Sequence, residues 1–211
     1  MRLSLSSYKE QSATWPSLGN HILAQYDERA IVVYQAYSAS IAEFATGNQR
    51  FGGQFSFKRM SWIKPNFLWM MYRSGWATKS GQERVLAVRI DRSFFDSLLA
   101  LAVETYYRQD VHGSVTLHQA ALASSPVRVQ WDPDHDPRGR PLVRRAIQLG
   151  LKGETLRKYA TEAITEVEDV TEFVREQHPH AQAEGWHKLL TPSESVYRPS
   201  DPETCRRLRL D

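Results

Sequence analysis

Cysteine is nearly missing from this 211-residue chain: Cys205 stands alone, so an intramolecular disulfide and a Cys-based zinc site are both excluded. Long apolar runs are missing too. No stretch approaches the roughly 18 apolar residues that a membrane-spanning helix needs, and Met1 to Tyr8 carry no run of signal-peptide length. We therefore expect a cytoplasmic, reducing location and no membrane partner. There is no internal repeat and no low-complexity linker. With 41% hydrophobic and 24% charged residues, general disorder is excluded and a proper core is available. Several signatures are also wanting. Gly47 to Gly53 is not followed by the Gly-Lys-Ser/Thr of a phosphate loop, Lys79-Ser80-Gly81 has the wrong order, and neither a G-x-S-x-G elbow nor a G-x-G-x-x-G turn occurs.

What is present is segregated charge. The chain carries 27 Lys and Arg against 24 Asp and Glu, yet Arg50 to Arg92 holds nine basic residues and two acidic ones, and Arg138 to Lys158 seven and one. Ala160 to Glu176 reverses the sign, with six carboxylates against Arg175. Segregated positive charge attracts phosphate at long range; the alternative is a set of separate solvated faces.

Ala30 to Tyr37 is rich in β-branched and aromatic residues and reads as a strand, followed by a short helix from Ser38 or Ser40 that Gly47 stops. Phe55 and Phe57 alternate with Ser56 and Lys58, which predicts a strand over 55–60. The run Trp62 to Trp76 predicts a buried aromatic helix, with Pro65 at its first position, Gly75 as a left-handed cap and Arg73 in the last turn. Trp62, Trp69 and Trp76 recur every seven residues; Trp69 suits the core, while Trp62 and Trp76 beside Lys64 and Lys79 suit stacking on bases. Leu86, Val88 and Ile90 mark a strand, and Asp91 caps a helix running to about Tyr107. Residues 108–126 give no clear element. Val127 to Trp131 and Arg145 to Leu149 read as strands. From Glu154, Leu156, Tyr159, Ala163, Val167, Val170 and Val174 predict one long C-terminal amphipathic helix ended by Pro179. The class is α+β, with a mixed or mostly antiparallel sheet, as a single domain over 1–191 and a tail over 192–211.

The turn Asp132-Pro133-Asp134-His135-Asp136-Pro137-Arg138-Gly139 places oxygen ligands at alternate positions, like the start of a calcium loop. Its glycine falls at the eighth position and Val143 at the twelfth, so an Asx-type turn is the simpler reading and no metal is expected. Asp132, Asp134 or Asp136 with His135 as a general-base pair stays open. His21, His112, His118, His178, His180 and His187 have no metalloprotease spacing.

The blocks Tyr34 to Tyr37, Phe55 to Trp76 and Arg128 to His135 resemble those of the uncharacterised domain-of-unknown-function family 4291, over nearly the whole chain. A weaker resemblance is to the ADP-ribosyltransferase superfamily, onto whose order of elements Ile31 to Tyr37, Ala39 to Ala45, Phe55 to Phe57, Pro65 to Arg73 and Gln82-Glu83 can be laid. Where those domains end the first strand in Arg or His, this chain has Gln35 and Tyr37. That resemblance implies NAD as cofactor, Glu83 as the carboxylate that polarises the ribose hydroxyl and stabilises an oxocarbenium-like transition state, and Tyr37 and Ser56 as residues that hold NAD.

Two functions follow. One is a nucleotide-handling enzyme, an NAD-dependent transferase acting on nucleic acid or protein, with Glu83 catalytic and Tyr37, Ser56, Arg59, Lys64 and Arg73 around the cofactor. The other is a non-enzymatic nucleic-acid binder, with Lys58, Arg144 and Arg145 joining those cations on phosphates and Trp62 and Trp76 stacking on bases.

Overall fold

The computed structural model describes residues 3–211; Met1 and Arg2 of the opening segment lie outside them. Along the chain the elements are β1 (Leu5–Ser7), α1 (Tyr8–Ser12), β2 (Ile22–Ala24), β3 (Ala30–Tyr37), α2 (Ala39–Asn48), β4 (Ser61–Ile63) and α3 (Phe67–Ser74). Then come β5 (Arg84–Asp91), α4 (Arg92–Leu101), β6 (Val103–Glu104), α5 (Gln109–His112), α6 (Val115–Ser124), β7 (Val127–His135) and β8 (Pro141–Leu151). The last part holds α7 (Gly153–Lys158), a π-helical turn (Tyr159–Ala163), β9 (Ile164–Asp169), α8 (Thr171–Gln182), β10 (Leu190–Pro192), β11 (Ser195–Tyr197) and α9 (Pro202–Leu208).

β3 is apolar on both faces because both faces are covered. Ile31 and Val33 join Leu86, Val88 and Ile90 of β5 against Phe95, Leu98 and Leu99 of α4. Val32 and Tyr34 point the other way, with Val85 and Ala87, onto Phe67, Leu68 and Met71 of α3 and Val174 of α8. Each such fully buried side chain contributes on the order of 1.5–3 kcal/mol. β3, β5 and β9 form one antiparallel sheet; β4, β8, β7 and β6 form another, parallel at β6–β7. The result is a single-domain α+β fold with mostly antiparallel sheets.

The two sheets meet at one bridge, where the Tyr34 N–H donates to the Lys64 carbonyl (2.7 Å) and the Lys64 N–H to the Tyr34 carbonyl (3.3 Å). Beyond it the strands part, and the Gln35 side chain spans the gap, its Nε2 donating to the Trp62 carbonyl at 3.3 Å. A cleft opens at that split.

Local chemistry sets α3. The Asn66 side chain accepts from the Trp69 N–H at 2.7 Å, and Gly75 takes the left-handed cap (φ 60°). Phe67 to Met71 are buried, but Tyr72 is 44% exposed and Arg73 faces outward, so the helix is not apolar all round.

Several expectations need correction. Residues 55–60 are turns and not a strand; Phe55 is buried in a cluster with Phe51 and Tyr37, and the strand begins at Ser61. α2 runs through Gly47 to Asn48, and the α4 helix stops at Leu101, short of Tyr107. The long helix from Glu154 is broken into α7, the π turn, β9 and α8, with Pro179 inside α8. Ile164, Thr165 and Val167 are β-branched, and Ile164 and Val167 pair with Ile90 and Val88 of β5, Thr165 sitting at a bulge between them. Their free edge is closed by Gln49, which accepts from the Val167 N–H (2.8 Å) and donates to its carbonyl (3.1 Å). Residues 192–211 are no separate tail: β10 pairs β1, β11 pairs β2, and Leu208 and Leu210 lie in the core.

Candidate functional site

The cleft has a volume of about 710 Å³, within the range of small-molecule sites. β3 supplies Gln35 and Tyr37, β4 supplies Ser61 and Trp62, and the following residue Lys64 lies beside Met70 and Arg73 of α3. Gln130 and Gln148 come from β7 and β8, Ser56 and Arg59 from the 55–60 turns, and Gly81 and Gln82 from the rim. No carboxylate is among its lining residues. Gly81, at φ 73°, makes the rim turn possible.

One wall is a buried hydroxyl and amide network. The Tyr159 hydroxyl donates to Gln35 Oε1 (2.7 Å), while Gln35 Nε2 faces the Tyr37 hydroxyl (2.7 Å) and Ser61 Oγ (2.9 Å). Tyr37 and Ser61 are themselves 2.9 Å apart. Burial pushes the Tyr37 phenol up to about 12, so it stays protonated and works as a neutral hydrogen-bonding group. The serine partnered with Tyr37 is therefore Ser61; Ser56, chosen from the sequence, lines the same cleft from a turn.

The cations are the other feature. Lys64 is only 4% exposed, and Arg59, Lys64 and Arg73 make no ion pair with any described residue. Burial, then the positive charge of Arg73, pulls the Lys64 ammonium down to about 7, with Asp132 opposing. A buried lysine beside a second cation gains its proton most easily when an anion arrives. Trp62 is half-buried, and its ring lies close to Gly150 of β8. A Cβ there would stand 2.9 Å from Trp62 Cζ2 and 2.6 Å from Met60 Sδ, so only glycine admits the ring at this position.

Tyr37, Ser56, Arg59, Lys64, Arg73 and Trp62 thus surround one space. Other residues singled out from the sequence do not join them. The Glu83 carboxylate folds back onto its own turn, accepting from the Gly81 N–H at 2.7 Å; its own N–H and that of Gly81 hold it below the usual carboxylate range. Glu83 follows Gln82 on the rim without lining the cleft. Lys58 is exposed beside Arg59. Trp76 is buried, stacked on His178 (5.4 Å between centroids, 7° between planes) and donating to the Pro137 carbonyl at 3.3 Å, so no base can stack on it. Arg144 is buried too, its Nε and Nη2 forking onto Asp134 Oδ2 at 2.8 and 2.5 Å. Both leave the set of nucleic-acid contacts because the core has already engaged them. Arg145 lines a different cavity.

The acidic turn is held by arginine and backbone. Asp136 accepts from the Arg138 and Arg140 N–H groups and from Arg140 Nε, and Asp132 Oδ2 from Gln148 Nε2 at 2.7 Å. His135 stacks under Tyr72 at 3.6 Å, and burial lowers its pKa despite the neighbouring Asp134, Asp132 and Asp136. Sequence reasoning missed Gln35, Ser61, Gln130, Gln148 and Tyr159. Glutamine carries no motif, and only the split of the sheets gathers these amides.

No curated protein matches this chain. Residues 21–197 match the family described as Domain of unknown function (DUF4291), a span that takes in every residue of the cleft, and the chain belongs to that family.

Proposed function

We propose that the cleft binds a nucleotide and that the protein is a nucleotide-handling enzyme. The observation that carries this reading is the trio Arg59, Lys64 and Arg73, unpaired and set in a lining without a carboxylate. Such a site repels acidic side chains and suits a ligand that brings its own negative charge. Arg59 and Arg73 meet phosphate oxygens from the rim and Lys64 from the floor. Trp62 offers a ring face to a base, and Gln35, Gln130 and Gln148 offer amides to ribose or base. NAD is the nucleotide to try first. In the narrower reading of ADP-ribose transfer, the bond from the ribose anomeric carbon to nicotinamide breaks and the acceptor's nucleophile bonds to that carbon. Glu83 then has to leave Gly81 to reach the ribose.

The non-enzymatic alternative, a nucleic-acid binder, keeps Lys58, Trp62 and Arg145 but loses Trp76 and Arg144 to the interior. A flat phosphate-binding face also has no need to bury Lys64.

The test is a thermal melt with and without NAD, ADP-ribose and ATP. A ligand at about a hundred times its dissociation constant adds roughly 2.7 kcal/mol, a rise of a few degrees. Nucleotide should stabilise the wild type and fail to stabilise Arg73→Ala. Stabilisation by a short RNA alone, erased by moderate salt, would replace the enzyme with the binder.

A further inference from the structure

Successive residues of β7 serve two different cavities: Gln130 lines the nucleotide cleft, whereas Val129 and Trp131 line a second cavity of about 410 Å³. We propose that this second cavity is a separate anion site, fitted to a phosphate group. Its walls bring together Arg108, Arg145 and Arg209 with Trp131, Tyr106 and Asn20, from segments far apart in the chain.

Two observations point to an anionic ligand. First, donors are buried there without acceptors. Among the described residues, Trp131 Nε1 and the three Arg108 guanidinium nitrogens have no hydrogen-bond partner, and neither does the acceptor Glu104 Oε1, although nearly all buried polar groups in folded proteins have one. Second, the cations outnumber what the local carboxylates answer. Glu104 is engaged by Arg108, with Nε 2.9 Å from Oε2, and Asp132 receives the Gln148 amide. Arg145 and Arg209 are exposed and have no ion pair among the described residues. Arg145 is fixed by its N–H donating to the Gly19 carbonyl at 2.8 Å, and Arg209 by its left-handed backbone (φ 52°) at the end of α9.

Three guanidinium groups against the two carboxylates Glu104 and Asp132 leave the lining net positive, and with the indole N–H they call for an anion that brings several acceptor oxygens. Phosphate is such an anion, and arginine forks match its geometry. The phosphate could belong to a small monoester or to the backbone of a single strand, for which Tyr106, 65% exposed, would be a stacking partner.

The test follows the indole N–H resonance of Trp131, assigned with Trp131→Phe, in ¹⁵N-labelled protein at fixed ionic strength. Inorganic phosphate is titrated in one arm and a short single-stranded oligonucleotide in the other. We expect a saturable shift that the Arg145→Ala/Arg209→Ala double variant weakens at least tenfold and that Arg73→Ala leaves intact. Tighter response to the oligonucleotide identifies a phosphodiester chain as the source, and equal or tighter response to phosphate a small ligand. The proposal is overturned if neither ligand moves the resonance, if the double variant responds like the wild type, or if Arg73→Ala abolishes the response. Nucleotide binding in the cleft is read separately through Arg73, so either site can fail alone.

Discussion

Lys64 and Tyr34 exchange both backbone hydrogen bonds, at 2.7 and 3.3 Å, and this bridge is where the two sheets join before they part. The same residue that joins the sheets therefore lines the cleft, with its ammonium 5.8 Å from the centroid of the Trp69 ring. Its position is set by main-chain pairing, which no side-chain substitution removes, so its charge can be altered without displacing the strand.

That permits a pH prediction. With its pKa pulled down to about 7, Lys64 is largely neutral in the empty protein above pH 7 and must take up a proton to meet a phosphate. Nucleotide affinity should fall as pH rises from 7 to 9, by up to tenfold per unit. Calorimetry in buffers of different ionisation enthalpy should register uptake of up to one proton near pH 8. Lys64→Arg, permanently charged, should flatten the profile. A pH-independent affinity in the wild type would remove Lys64 from the phosphate contacts. The linkage to stability has a definite sign: the folded pKa is depressed below the unfolded 10.5, so this residue makes the free protein more stable as pH climbs from about 7 to 10.

Gln35 ties three hydroxyls, those of Tyr37, Ser61 and Tyr159, into one buried network. Gln35→Leu leaves the buried Tyr159 hydroxyl without its acceptor, at about 1–3 kcal/mol, and takes one donor from Tyr37 and Ser61, which keep each other at 2.9 Å. We expect a loss of roughly 2–4 kcal/mol in denaturant unfolding, partly relieved where water enters from the cleft. A loss below 1 kcal/mol would mean the network is dispensable.

Gly150 should not tolerate a methyl group. The Cβ of Gly150→Ala would press on Met60 and Trp62, at about 1–3 kcal/mol, and displace the ring offered to the base. Nucleotide affinity and melting temperature should fall together. Unchanged binding in this variant would show that Trp62 does not touch the ligand.

Glu194 is the least expected member of the core. Its carboxylate accepts from the Phe67 N–H (2.6 Å) and Asn66 Nδ2 (3.1 Å), capping α3 from the C-terminal segment. Glu194→Ala leaves both donors buried and should cost about 2–4 kcal/mol. Burial raises the folded pKa well above the usual value. The stability it contributes is therefore complete below the unfolded pKa near 4.5 and declines as pH rises through the folded one. The gap in melting temperature between wild type and variant should be widest in acid and narrow toward neutrality; a gap that widens instead would mean that folding lowers the Glu194 pKa.

These residues also show what a sequence reveals. β3, β5 and α3 were legible because β-branched content, period-two alternation and the Gly75 cap act locally, although α3 starts at Phe67 behind the Asn66 cap and not at Pro65. The 154–179 region was not, since its apolar spacing fits a helix, and only pairing with β5 and the edge contact from Gln49, 118 residues from Val167, decides for a strand. Arg59, Lys64 and Arg73 stood out as cations near aromatics. The glutamines and Ser61 did not, because their meaning comes from where two sheets separate. Trp76 and Arg144 misled for the converse reason: their types suit nucleic acid, but His178 and Asp134 already engage them.

The central claim is that Lys64 and Arg73 hold the phosphates of a nucleotide, and side-by-side calorimetric titration of NAD and ADP-ribose into wild type, Lys64→Met and Arg73→Ala at pH 7 tests it most directly. We predict saturable binding to the wild type that each variant weakens at least tenfold while its melting temperature stays within a few degrees. Absence of binding to the wild type, or equal affinity in folded variants, would contradict the account.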